Sequence, residues 1–311
     1  MKQTVAIIHF NTPELTEACI LSIRKHGCDW PIVVFDNSRA VTWPADEGMP
    51  ERTIEAHSFK RRMKGVKIID NTCGQIIDFE STLSAFPNKI EAHAAVNGWG
   101  SDCHMMTVDK LFDLLPDGFI LVESDVLVRT DIRQLWREEY SFCAYVQRQQ
   151  RGNVFGIGRI LPMLCYLNVP KFKAEGVRYF DPDRSWMLHP DENDRRNWYD
   201  TGASLLEDVL SHRPRLKGLH VDIRTMLVHL GGASYRNTSL KEQAEWLSRH
   251  KSLWESSPSA AAPAASFSPS SSPSSSPTPS AAVTDVSPSG ETPSKPQRKK
   301  CTASKQHLQK K

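Results

Sequence analysis

Apolar residues fall into short unbroken runs, separated by stretches where they recur every three or four positions. Val5, Ile7 and Ile8, then Pro31–Phe35, Val66–Asp70 and Phe119–Val122, read as strands. Between the first two runs, Pro13 opens a segment in which Leu15, Ala18, Cys19, Leu21 and Ser22 keep helical rhythm to about His26. Strand, helix, strand in this order is a parallel crossover. A second helix is expected from Asp102 to Leu115, with His104, Val108, Leu111, Phe112 and Leu115 on one face. His104 there reads as a packing residue with its nitrogens satisfied. Strands follow at Phe142–Gln147, Ile160–Val169 and Thr225–Val228, and helices at Leu205–His212 and Leu240–Leu253. Residues 38–64 are polar and give no assignment, while Lys171–Arg196, rich in Asp, Pro and Arg, reads as a loop suited to a substrate lid. The expected fold is α/β: a mostly parallel, Rossmann-like open sheet flanked by helices.

In such sheets ligands bind outside the carboxyl ends of the strands. Those ends are polar here: His9, Asn11 and Thr12 after the first, Asp36 after the second, Asp70 after the third, Glu123, Ser124 and Asp125 after the fourth. Two carboxylates one residue apart at the end of a buried strand call for a positive partner, because desolvating an unpaired one costs several kcal/mol. A divalent cation, Mn²⁺ or Mg²⁺, fits, since both take carboxylate oxygens and complete their shells with phosphates. The plainer reading has Glu123 and Asp125 capping a solvated turn.

Composition changes near residue 255. Residues 256–289 are almost entirely Ser, Pro and Ala, too poor in apolar surface to offset the entropy of ordering. A basic end with Lys295, Arg298, Lys299 and Lys300 follows. The expected division is a folded domain over 1–254 and a disordered linker with a basic tail over 255–311. The tail carries seven basic and three acidic residues, leaving 32 and 33 in the first 254, so the net charge of +3 belongs to the tail. A near-neutral body argues against specific nucleic-acid binding, and the tail is suited to weak contact with an anionic membrane surface. Seven cysteines without a C-x-x-C pair suggest reduced thiols in a core. The apolar run Val5–Ile8 is too short for an export signal, and no stretch approaches the roughly 18 residues of a membrane span. The expected location is cytoplasmic, peripheral to the inner membrane face where the tail touches it. No G-x-G-x-x-G or G-x-x-x-x-G-K-[ST] pattern occurs.

Taken together, the segments Val5–Leu15 with Cys19–Ile23, Pro31–Ser38, Glu123-Ser-Asp125, Tyr199-Asp200 with Glu207-Asp208, and His229–Ser234 resemble, in that order, the family 2 glycosyltransferases of GT-A fold. The likeness is to rhamnosyltransferase-like bacterial members that build surface polysaccharides. It implies that Asp36 meets the nucleotide, with His9, Asn11, Thr12, Asp70, Glu123 and Ser124 also on the donor side. It implies a D-x-D metal motif at Glu123-Ser-Asp125, where glutamate replaces the first aspartate and leaves Asp125 the firmer ligand. The catalytic carboxylate falls at Asp208, beside Glu207 at a helix start whose dipole favours negative charge, with Asp200 as the competing candidate.

The chemistry so implied moves a sugar from a nucleotide-diphosphate donor to a hydroxyl of a glycan or lipid-linked acceptor, with inversion. Asp125, His229 and Glu123 are the expected metal ligands, and the glycines after His229 favour close approach of backbone to substrate. Trp186, Trp198 and Tyr199 are candidates for stacking on an acceptor sugar. Two rival readings are a non-catalytic nucleotide-sugar-binding module and a sugar nucleotidyltransferase. The latter normally carries a Gly-rich basic loop after its first strand, where this chain has His9-Phe-Asn-Thr-Pro13.

Overall fold

The structure, a computed structural model, describes residues 3–43, 52–84, 93–147, 158–184, 200–212, 214–231 and 239–255. The strands are β1 (Val5–His9), β2 (Ile32–Asp36), β3 (Val41–Trp43), β4 (Arg52–Ile54), β5 (Val66–Asp70), β6 (Phe119–Glu123), β7 (Val126–Val128), β8 (Phe142–Gln147), β9 (Arg159–Leu167), β10 (Gly218–His220) and β11 (Leu227–His229). The helices are α1 (Pro13–Lys25), α2 (Phe79–Ser84), α3 (His93–Leu114), α4 (Val169–Ala174), α5 (Ala203–Ser211) and α6 (Leu240–Arg249).

Seven strands form one sheet in the order β10-β8-β9-β6-β1-β2-β5. β9 runs antiparallel to both its neighbours and every other pairing is parallel. This is the mixed, mostly parallel α/β architecture expected from the sequence. Helices cover both faces, which is why the central strands read as unbroken apolar runs. On one face Ala6, Ile8, Phe119 and Leu121 pack with Met105, Val108, Leu111 and Phe112 of α3 and Leu205 of α5. On the other, Val5, Ile7, Ile32, Val34, Ile120 and Val122 pack against Cys19, Ile20 and Ile23 of α1 and against Phe59.

Several elements depart from the sequence reading. The unassigned stretch after β2 contains a short antiparallel pair, β3 with β4. Helix α3 starts nine residues earlier than its periodicity indicates, through a segment holding Gly98 and Gly100, residues whose helix propensity is about 1 kcal/mol below that of alanine. The expected lid falls partly on α4 and the turn Pro182–Arg184, and Trp186, Trp198 and Tyr199 lie outside the described residues, as does the tail from 256 onward. No described helix is long and apolar enough to cross a membrane. The six described cysteines are free thiols, all buried except Cys73.

Candidate active site

The parallel strands β6, β1, β2 and β5 are adjacent, so their carboxyl ends share one edge of the sheet. A cavity of about 750 Å³ opens there. Ile8, Phe10, Asn37 and Arg39 line it from the ends of β1 and β2, Ser101, Cys103 and His104 from α3, and Glu123, Ser124 and Asp125 from the end of β6. Tyr145, Arg159, Met163, Asp200, Arg224 and His229 form much of the far side.

Glu123, Asp125 and His229 each present a ligand atom within 4.8 Å of the other two. His229 lies 104 residues beyond Asp125 in sequence, and a small β-ladder brings the two together. After Asp125 the chain enters β7, which pairs antiparallel with β11 so that His229 lies opposite Val126. The Leu230 N–H donates to the Asp125 carbonyl at 3.1 Å and locks the register. Helix α1 supports the ladder from beneath, where Ser22 Oγ accepts from the Val128 N–H at 3.1 Å. His229 Nε2 therefore stands 3.2 Å from Asp125 Oδ1 and 3.4 Å from Glu123 Oε2. Burial opposes its charged form, but the hydrogen bonds and negative charge of Asp125 and Glu123 raise its pKa to about 10. One imidazolium thus faces two carboxylates, a cluster with surplus negative charge. Two carboxylates and an imidazole also form a suitable donor set for a divalent first-row cation, the carboxylates suiting Mn²⁺. The residues therefore fit the metal that the E-x-D motif implies.

His104 reaches the same carboxylates from α3, with Nε2 4.0 Å from Glu123 Oε1. Both its ring nitrogens are buried and lack a hydrogen-bond partner among the described residues. The expectation of a satisfied packing histidine is corrected: the ring packs on the expected face, but that face ends at the cavity, beside the carboxylates of Glu123 and Asp125. Burial lowers its pKa against the pull of Glu123 and Asp125, so the ring stays neutral.

The donor-side residues divide by sheet face. Ser124 lines the cavity and its Oγ lies 3.3 Å from Thr12 Oγ1. Asn11, in the left-handed region at φ 55°, bridges two loops, accepting from the His57 N–H and donating to the Arg39 carbonyl. His9 is fully buried, its ring nitrogens within 2.7 Å of Thr16 Oγ1 and 2.9 Å of the His57 carbonyl. Asp36 accepts from the backbone N–H groups of Ser38 and Phe59. Asp70 is exposed and bonds Thr72. His9, Asp36 and Asp70 are thus not part of the cavity wall, whereas Asn37 and Arg39, which sequence reasoning passed over, are.

Of the three catalytic candidates, Asp200 lines the cavity. It is paired with Arg159 and accepts from Ser101 Oγ at 2.8 Å and from the Thr201 N–H at 2.7 Å. Asp208 and Glu207 are held instead by Arg184, at 2.8 and 3.2 Å, away from the described cavity wall. The helix-dipole argument for Asp208 is corrected: α5 begins at Ala203 behind Gly202, its first turn holds no acidic residue, and Glu207 and Asp208 fall in the second. Ser101, His104, Tyr145, Arg159 and Arg224 were also missed. Of these, only Arg159, a charge at the head of the apolar run 160–167, carried a sequence signal.

No protein-family model matches the chain, and no curated protein matches it. Solved structures with a partial likeness include several glycosyltransferases. Mouse xyloside xylosyltransferase 1, in its apo form, is 11% identical over 70% of this chain and 84% of its own, with a TM-score of 0.42. The galactosyltransferase LgtC, solved with donor and acceptor sugar analogues, is 13% identical over 70% of this chain and 73% of its own, with a TM-score of 0.40. The glycosyltransferase GlyE of Streptococcus pneumoniae TIGR4 is 14% identical, over 70% of this chain and 45% of its own, with a TM-score of 0.34.

Proposed function

We propose that this chain is a metal-assisted glycosyltransferase that moves a sugar from a nucleotide-diphosphate donor to a hydroxyl of a glycan or lipid-linked acceptor. The observation that carries the reading is the convergence of Glu123, Asp125 and His229 within 4.8 Å of one another on the wall of a substrate-sized cavity. The five ordered motifs support kinship with family 2 enzymes of the rhamnosyltransferase-like kind.

Asp125 and His229, with Glu123, would hold Mn²⁺ or Mg²⁺, which when bound supplies Lewis-acid charge against the leaving diphosphate. His229 must lose its proton before Nε2 can ligate. Asn37 and Arg39, at the β2 end of the cavity, face the nucleotide side of the donor, and Tyr145, Met163 and Arg224 border the acceptor side. We take Asp200 as the base, because it alone of the three candidate carboxylates lines the cavity. Its carboxylate takes the proton of the acceptor hydroxyl as that oxygen bonds to the anomeric carbon, while the C–O bond to diphosphate breaks and carries its electron pair away. A positioned base of this kind contributes about 10² to 10⁴ in rate. Attack opposite the diphosphate inverts the anomeric centre.

The test is a panel of nucleotide-diphosphate sugars incubated with the purified chain and Mn²⁺, following donor hydrolysis and transfer. Turnover is expected in the wild type and a loss of about 100-fold or more in Asp125→Ala, with the circular dichroism spectrum unchanged. Asp200→Asn should bind donor yet fail to transfer it, whereas Asp208→Asn should do both. Equal turnover by wild type and Asp125→Ala sinks the metal assignment. Donor binding without turnover anywhere in the panel favours the binding module.

A further inference from the structure

The unpartnered histidine on α3 has a task that the acidic cluster defines. Leaving a buried polar atom unmatched costs about 1 to 3 kcal/mol, and a native protein that keeps such an atom needs a reason for it. His104 has two such atoms, both ring nitrogens. The neighbouring acceptor is Glu123 Oε1, 4.0 Å from Nε2, a gap about 1 Å longer than a hydrogen bond. The other oxygen of Glu123, Oε2, lies 3.4 Å from Nε2 of His229. The two histidines therefore flank one carboxylate, each facing a different oxygen of it.

We propose that His104 is a positioning residue: once the triad holds a divalent cation, Nε2–H of His104 donates to Glu123 Oε1 and orients that carboxylate in the site. This rests on the metal-binding reading above. It gives a physical reason for glutamate at the first position of the motif. The additional methylene lets one carboxylate span His104 and the cation site, and aspartate, one carbon shorter, leaves His104 unmatched. The same logic makes ligand carboxylates dependent on an outer hydrogen bond, whose removal typically weakens metal affinity about 10- to 100-fold.

The experiment is Mn²⁺ titration of the purified full chain without donor, followed by electron paramagnetic resonance and calorimetry. His104→Met is expected to weaken Mn²⁺ binding about tenfold or more. Its metal-free melting temperature should not fall below that of the wild type, since an unmatched polar group is removed. His104→Gln, whose amide nitrogen approximates the place of Nε2, should restore most of the affinity, and the shorter His104→Asn should not; this pair decides the matter if His104→Met does not fold. In a Glu123→Asp background, His104→Met should weaken binding by no more than about twofold, because the contact is already gone. Spin-echo spectra should show a single directly bound imidazole, lost in His229→Asn and kept in His104→Gln. Equal Mn²⁺ affinity in wild type and His104→Met overturns the positioning role alone, as does a second directly bound imidazole. A wild type that binds no Mn²⁺ overturns both this role and the metal reading on which it rests.

Discussion

At the Glu123, Asp125 and His229 cluster, the imidazole lies within 3.4 Å of both carboxylates and joins them when it carries a proton. Its pKa, raised from 6.5 to about 10 by Asp125 and Glu123 against the opposing effect of burial, makes that proton a stability device. Between those two values the native chain keeps a proton that the unfolded chain releases. Stability from this group is therefore fully present below about pH 6.5 and is lost as pH rises through about 10. The buried thiols Cys19, Cys103, Cys143 and Cys165, pushed up by burial, add their own loss only where unfolded thiols ionise, above about pH 8. Urea unfolding in EDTA should thus show stability falling between about pH 6.5 and 8 in the wild type. His229→Asn should lack that component; identical slopes in the two proteins would mean that the imidazolium does not hold the carboxylates. At this scale the sequence was informative about residue types and less so about direction. His9, Asp36 and Asp70 are register partners across β1, β2 and β5. They continue the face of Val5, Ile7, Ile32 and Val34 that packs on Phe59. Glu123 is in register with Ile8 and continues the opposite face, toward α3. Counting parity along each run separates the wall of the cavity from the buried network beside it. Strand-end polarity alone does not.

Elements three residues long do what no periodicity announces. β7 and β11 are too short for an alternation pattern, yet their ladder is what brings His229 to Asp125. The long runs of the central sheet were legible because burial on both faces leaves them no polar positions, whereas a short ladder is set by its partner and not by its own composition. The start of α5 is similar. Gly202 has φ +81°, and a Cβ there would lie 2.2 Å from the Ile160 carbonyl oxygen. The Ile160 N–H also bonds the Gly202 carbonyl at 3.2 Å. This backbone crossing against β9 seats Asp200, two residues earlier, beside Arg159 at the start of that strand. Gly202→Ala is expected to destabilise the fold by roughly 2 kcal/mol or more, combining left-handed backbone strain with displacement of the β9 carbonyl. Urea denaturation reads it directly, and an unchanged midpoint would mean that the crossing is slack. The variant should also lose transfer beyond what its folded fraction explains, since Asp200 and Arg159 move apart.

Over the whole molecule, two apolar layers enclose the sheet and a third, smaller cluster closes the carboxyl end of the described chain. Trp246 of α6 packs with Leu15 and Ala18 of α1 and with Leu127 of β7, so the last helix presses on the elements that carry the ladder joining Asp125 to His229. α6 begins with a reciprocal capping box between Ser239 and Glu242. The turn after it ends on Lys25, whose Nζ donates to the carbonyls of Ser252 and Glu255 at 2.6 and 2.5 Å. The described structure thus ends, at about residue 255, on contacts made by its own side chains. Beyond it the Ser/Pro/Ala composition offers little apolar surface to add. A chain ending at residue 255 is accordingly expected to melt within about 2 °C of the full chain, because even 1 kcal/mol of lost contact shifts a domain of this size by about 2 to 4 °C. Donor binding should be equally unaffected. Parallel thermal melts of the two forms decide it: a drop larger than about 4 °C on truncation would mean that residues 256–311 pack against the domain, and the folded unit would then have to be extended past α6.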